Sequence, residues 1–234
     1  IVRALEYVIP HKATFHRGAR LLIALAEAEN ETYGNNATAI WCDVFQVHLG
    51  GTEVPWRERA PLLDEALDSP SHQRRILAVK ALERPLARHE MRTLTQPTYR
   101  LIPLEWRPAT HEELWDALRG ALERLDRALT DKHPDVRHEA VAVLAHSARG
   151  LIRSELAEDV LLRLETFEPR DRNERTQVRE AVDGILEYER ERLDGSVLRR
   201  LETLRNALED EPFGDRLRRW VGPWSASDWM RGHG

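Results

Sequence analysis

The chain has 234 residues, 41% of them hydrophobic and 32% charged, with a formal net charge of −5. That balance is too apolar for disorder and suits helices with one wet face. No run approaches the roughly 18 consecutive apolar residues of a membrane span, and the opening Ile-Val-Arg-Ala-Leu-Glu is not a basic-then-apolar signal peptide, so the expectation is a soluble cytoplasmic protein without membrane contact. The lone Cys42 cannot form an internal disulfide, in keeping with a reducing compartment. The absence of an initiating Met suggests a piece of something longer.

Residues 1–17 lack a clean period and break at Pro10; they read as an opening segment. Helical pairs follow over 18–94. Leu21, Leu22, Leu25 and Ala28 form a first stripe that ends near Glu31 to Gly34. Asn35 and Asn36 are placed to cap the next helix, whose stripe of Ile40, Trp41, Val44, Phe45 and His48 stops at Gly50-Gly51. Pro55 or Trp56 begins a third helix carrying Leu62, Leu63, Ala66 and Leu67. Ser69-Pro70 reads as the start of a fourth, with Ile76, Leu77, Ala81, Leu82 and Leu86, and Pro85 predicts a kink or a stop.

Residues 95–109 form a Pro-rich loop holding Pro97, Pro103 and Pro108. A second set of helical pairs spans 110–211. Thr110 and Glu113 match a capping box, ahead of a stripe of Leu114, Leu118, Leu122, Leu125 and Leu129. The turn Asp131-Lys-His-Pro134 leads into Val136, Ala140, Val141 and Leu144, with Pro134 suited to a first helical position. Leu156, Val160, Leu161 and Leu164 make the next stripe, Pro169 to Asn173 a charged turn, and Val178, Val182, Ile185 and Leu186 another helix. Its tail, Glu187 to Arg192, reads as solvated. Ser196 is placed to cap a last helix with Val197, Leu198, Leu201, Leu204 and Leu208. Residues 212–234 form a Trp-rich C-terminal cap. No segment alternates as a strand does, so the predicted class is all-α.

Asp131 precedes Arg137 by six residues, as Asp68 precedes Arg74 and Asn173 precedes Arg179. Val178-Arg179-Glu180-Ala181-Val182 echoes Val136-Arg137-His138-Glu139-Ala140-Val141. The arginine spacings, 63 and 42 residues, fit a period of about 40–47 with one insertion. The pattern resembles a HEAT repeat, which implies an α-solenoid of antiparallel helix pairs and assigns Asp131 and Arg137 to a ladder between neighbouring repeats; Asn173/Arg179 and Asp68/Arg74 are the corresponding pairs. Asn173 stands where the family has Asp, and Gln73 where it has an aliphatic residue.

A second resemblance rests on Ala28-Glu-Asn-Glu-Thr-Tyr-Gly-Asn-Asn-Ala-Thr38, Gly51-Thr52 and the helix from Arg59 to Leu67. It is similar to the helical region after the nucleotide-binding core of STAND-type bacterial ATPases, several of which serve antiviral defence. The chain has no phosphate-cradling Gly-x4-Gly-Lys-Ser/Thr loop of its own.

Candidate sites are few. The three His-Glu pairs at 89, 111 and 138 lack the second His that a zinc-protease helix needs, no Gly-x-Ser-x-Gly elbow occurs, and His138 with His146 lack a third metal ligand. Cys42 reads as a small core residue. The predictions are therefore no catalytic residues, no cofactor and no metal. Partner-binding candidates are Asn30, Tyr33 and Asn35 at a hairpin, which capping and turn formation explain as well, and Trp220, Trp224 and Trp229, read either as a hydrophobic end cap or as an exposed patch. Only Lys12, Lys80 and Lys132 are lysines, so nearly all cationic charge is Arg, suited to bidentate recognition or reflecting base composition. The expected function is a non-catalytic scaffold or sensor that contacts a protein partner or flanking domains. Nucleic acid is a disfavoured partner, because 16 Asp/Glu against 11 Lys/Arg in residues 131–194 are poor for phosphates. The alternative is a DNA-binding protein of HEAT-like repeats or an alkylpurine DNA glycosylase, a family that includes proteins of such repeats, with Trp115-Asp116 as the aromatic–acid pair that the resemblance would require.

Overall fold

Most apolar stripes become the buried side of a helix; in the first, Leu22 is buried but Leu21 is 49% exposed and Ala28 is exposed, and the buried face is Phe15, Ala19, Leu22, Ile23 and Ala26. The computed structural model describes residues 1–30, 36–48, 50–87 and 105–209, and among them every regular element is helical. In chain order these are α1 (Val2–Val8), α2 (Phe15–Glu27), α3 (Ala37–Asp43), α4 (Trp56–Leu67), α5 (His72–Leu86), α6 (His111–Leu129), α7 (Pro134–Leu151), α8 (Ala157–Thr166), α9 (Arg172–Tyr188) and α10 (Gly195–Leu208), with a 3₁₀ turn at Arg190–Arg192. No described helix is long and apolar enough to cross a membrane. One hydrophobic cluster runs from Ile9 to Leu208. Within it α5 packs chiefly on α7 and α7 on α9, while α3 meets α5; α4 touches α6, and α8 touches α10.

Start signals worked where side chain and backbone lie close in sequence. Asn36 caps α3 by accepting from the Ala39 N–H at 2.8 Å, and Pro134 is the first residue of α7. Thr110 Oγ1 accepts from the Glu113 N–H, but the Glu113 carboxylate takes the Ala109 N–H rather than that of Thr110. Three starts differ from expectation. α5 is capped by Ser71, not Ser69, because the Ser69 and Pro70 carbonyls bond the Arg75 guanidinium outside the helix. α9 is capped by Asp171, which puts Asn173 inside the helix and not in the turn before it. α10 is capped by Asp194, whose carboxylate holds both N–H and hydroxyl of Ser196. The opening segment also holds a helix, α1, whose Val2 and Leu5 pack on the cluster.

α3 ends at Asp43, short of its predicted stripe, for a tertiary reason. The Arg59 guanidinium, 1% exposed, donates to the Val44 and Gln46 carbonyls at 2.7 and 2.8 Å. It lies over the rings of Trp56 and Trp106, at 5.8 and 5.5 Å. Burial lowers Arg59 to about 9, with the Glu105 carboxylate pulling the other way, so the group stays charged at neutral pH. Glu105 accepts the Gly51 N–H, and the Trp106 N–H donates to Thr52. Gly50 is required here: a Cβ would stand 2.6 Å from the Gln46 carbonyl oxygen.

Arg59→Ala leaves two buried carbonyls without donors and is expected to destabilise by about 3 kcal/mol or more in urea unfolding. Arg59→Lys, which reaches one carbonyl, should lose less. Gly50→Ala should lose about 1–3 kcal/mol through the backbone clash.

Candidate interaction surface

The chemistry-bearing side chains of this chain are arginines, so their partners decide what the surface can do. Arg137 is the fourth residue of α7 and 6% exposed. Its Nε and Nη2 fork onto Glu174 of α9 at 2.7 and 3.0 Å, Nη2 also reaches the Glu168 carbonyl at 2.8 Å, and Nη1 donates to the carbonyl of Leu129. The guanidinium lies 5.2 Å from the Phe167 ring centroid. Glu174, 1% exposed, further accepts the Arg170 N–H at 2.7 Å. Burial pushes its carboxyl up, but the hydrogen bonds from Arg137 and Arg170 outweigh that and hold it below the usual range.

Asp131 lies elsewhere: its carboxylate takes Arg75 of α5 at 2.9 Å and caps the turn through the His133 N–H. Arg75 is the fourth residue of α5 as Arg137 is of α7, and each reaches forward to an acid at or just before the start of the next odd-numbered helix. Counting six residues from Asp68 and Asn173 selects instead Arg74, which bonds Glu27 of α2 at 2.6 Å, and Arg179, which lies 3.5 Å from Asp183 on its own helix. Asp68 accepts from Arg127, and Asn173 is exposed. The residues at the fourth helical position are Arg75, Arg137 and Arg175, a register visible only once the helix starts are known.

The even-numbered helices are cross-linked in the same currency of charge. Arg20 of α2 forks onto Glu65 of α4 at 3.0 and 2.7 Å. Asp64 of α4 holds Arg124 and Arg127 of α6 at 2.6 and 2.7 Å. Arg163 of α8 forks onto Asp126 of α6 with both bonds at 2.8 Å. Arg200 of α10 reaches Glu158 and Glu165 of α8 at 2.8 and 2.7 Å. The charged tail after α9 is not all solvated either: Glu189 is 5% exposed, with Arg149, Arg153 and Arg192 within 3.2–3.6 Å.

Hollows interrupt this surface among the described residues. One, of about 330 Å³, is lined by His48, Arg84, His111, Trp115, Leu151 and Ser154 among others. Its Ser154 hydroxyl is committed, donating to the Leu151 carbonyl and accepting the Leu156 N–H. Another, of about 580 Å³, is lined by Trp56, Trp106, Glu113, Asp116 and Arg124 among others. Glu113 serves the start of α6, Asp116 meets Arg119 at 3.2 Å, and Arg124 is held by Asp64. Trp115 and Asp116, adjacent on α6, thus face different hollows, whereas stacking a base beside an acid needs both in one. Burial pushes the Cys42 thiol up to about 12, so it is a core residue and no nucleophile.

Of the proposed partner-binding residues, Asn30 is described and exposed. Tyr33, Asn35, Trp220, Trp224 and Trp229 lie outside the described residues. His138 is 2.7 Å from Asp171 and His146 is 3.7 Å from Glu83, so the two histidines face different acids. In comparisons with known proteins, no protein-family model matches the chain and no curated protein sequence matches it.

Arg137→Ala strands Glu174 in the interior and is expected to cost about 3–5 kcal/mol in urea unfolding, whereas the double replacement Arg137→Met with Glu174→Leu should lose much less. Glu27, Glu65, Glu165 and Glu174 all have folded-state values below 4.5. The stabilisation they contribute is therefore present above about pH 4.5 and disappears as pH falls through the lowered values. The urea midpoint should hold from pH 7 to about pH 5 and then drop, and Glu174→Gln, weaker at pH 7, should show a shallower drop.

Proposed function

We infer that the chain is a helical-repeat scaffold, an α-solenoid of HEAT-like helix pairs that contacts a protein surface, either a separate partner or a flanking domain of its own polypeptide. The alternation in which odd-numbered helices meet odd and even meet even supports the solenoid reading, since stacked pairs bury their faces on the next pair along. The forward bonds from Arg75 and Arg137 fit a ladder between neighbouring repeats.

The observation that carries the choice of partner is the commitment of the arginines. Nucleic-acid affinity comes first from guanidinium and ammonium groups neutralising phosphates. Here Arg20, Arg75, Arg124, Arg127, Arg137, Arg163 and Arg200 are already bonded to carboxylates. A phosphate would have to displace those acids in a chain that carries a net charge of −5. A role within a STAND-type ATPase rests on the resemblance around residues 28–38, and would make the partner surface a domain of the same polypeptide.

The test pairs two measurements. Fluorescent single-stranded and duplex DNA are titrated at about 50 mM salt, where phosphate contacts are strongest. Tagged chain is also used to capture material from host lysate with and without nuclease, read by mass spectrometry. We expect no saturable DNA binding and a protein captured in stoichiometric amount despite nuclease. Tight, salt-sensitive DNA binding, or capture that vanishes with nuclease, overturns the reading and directs attention to base excision from alkylated duplex.

A further inference from the structure

We propose that His72, His133 and Asp135 form a binding site for a first-row divalent transition ion, with Zn(II) as its representative, that staples the start of α5 to the start of α7. His72 opens α5, His133 immediately precedes α7, and Asp135 is the second residue of α7. One ligand atom from each lies within 4.8 Å of the others. The two imidazoles stand face to face, centroids 4.2 Å apart and planes 10° apart, although 61 residues separate them in the chain. Both are half-buried, while Asp135 is exposed and leaves the site open to solvent.

One ring atom is left without a role by the protein itself. His133 Nδ1 is shielded from solvent and makes no hydrogen bond; the nearest acid, Asp135 Oδ2, is 3.8 Å away. A buried ring nitrogen without a partner has lost its hydration with nothing in exchange, and a metal–nitrogen bond would supply the missing interaction. Two imidazoles and a carboxylate are a donor set suited to zinc, with bonds of about 2.0–2.2 Å and water in the fourth position. The three donors must close by about an ångström to reach that geometry, and rotation of the two rings about χ2, which opens the stack, supplies the movement.

The surroundings favour a cation. Arg74 and Arg75, two and three residues beyond His72 on α5, are both paired with acids, Arg74 with Glu27 and Arg75 with Asp131. Asp135 in the first turn offsets the positive end of α7. The other cluster of His and acids, His138, Asp171 and Glu174, lacks this freedom: Glu174 has both oxygens on Arg137, and Asp171 caps α9. An ion there would have to displace a buried guanidinium.

An ion held by His72 on one side and His133 with Asp135 on the other binds only when the two helix starts are in register, so its binding energy would add to the packing of α5 on α7. The test uses the whole chain after chelator treatment. With Zn(II) at about a hundred times its dissociation constant, the melting temperature should rise by roughly 5 °C or more. Co(II) should give visible absorption bands of a protein-bound ion at one equivalent. His72→Ala and Asp135→Asn, neither of which caps a helix, should each abolish both signals, while His138→Ala keeps them. If His133→Ala fails to fold, the other two variants decide. Absence of the shift and bands in the parent chain, their persistence in His72→Ala, or a shift that grows with protein concentration because the ion bridges two copies, overturns the proposal.

Discussion

The Arg137–Glu174 pair sets the geometry that the C-terminal half must satisfy. Removing two charges from water costs several kcal/mol each, and the attraction between them compensates only when the remaining donors and lone pairs are filled. Here they are filled from three places: the end of α6 through Leu129, the end of α8 through Glu168 and Phe167, and the turn before α9 through Arg170. No one of these helices can slide along its neighbour without stripping a partner from a buried charge. The apolar stripes supply most of the driving force for packing, but leucines tolerate more than one register; the ion pair selects among them. Arg59 acts similarly in the N-terminal half, with backbone carbonyls and two indole faces in place of the carboxylate.

Outside these two buried centres the arginines act at the surface, where a single ion pair contributes little. Several are forks, with two donors on one carboxylate, and they join α2 to α4, α6 to α8 and α8 to α10. Their combined consequence is less about stability than about availability. A composition with 32 arginines to three lysines looks suited to polyanions until the partners are seen, whereupon much of that charge is already spoken for by the protein's own acids.

The helices were largely legible because apolar residues three and four apart share one side of an α-helix and scatter over both faces of a strand. Asn36, Thr110 and Pro134 marked their starts through contacts within three or four residues, which a sequence displays directly. What escaped depended on distant groups. Arg59 decides where α3 stops from 13 to 15 residues away. Glu29 binds the Ala37 and Thr38 N–H groups from eight and nine residues away, capping α3 alongside Asn36. Glu189, in a run that reads as solvated, is covered by arginines of α7 and its flank. The ladder shows the same limit at finer grain: with α5 beginning at His72, a one-residue difference transfers the forward bond from Arg74 to Arg75. Trp115 and Asp116 illustrate the converse, since neighbours in sequence point about 100° apart on a helix.

The bonds made by Arg75 and Arg137 have a direction. Each leaves the fourth position of one odd-numbered helix as a donor and arrives at the start of the next as an acceptor's bond. α7 therefore presents the Arg137 guanidinium toward α9 and, through Asp131 in the turn before it, a carboxylate toward α5, so its two sides are chemically unlike, as in a head-to-tail and not a self-complementary interface. Turned the other way round between α5 and α9, α7 would set Arg137 against Arg75 and Asp131 against Glu174. The order of α5, α7 and α9 is thus written in polarity as well as in shape: donors face forward along the chain and acceptors face back.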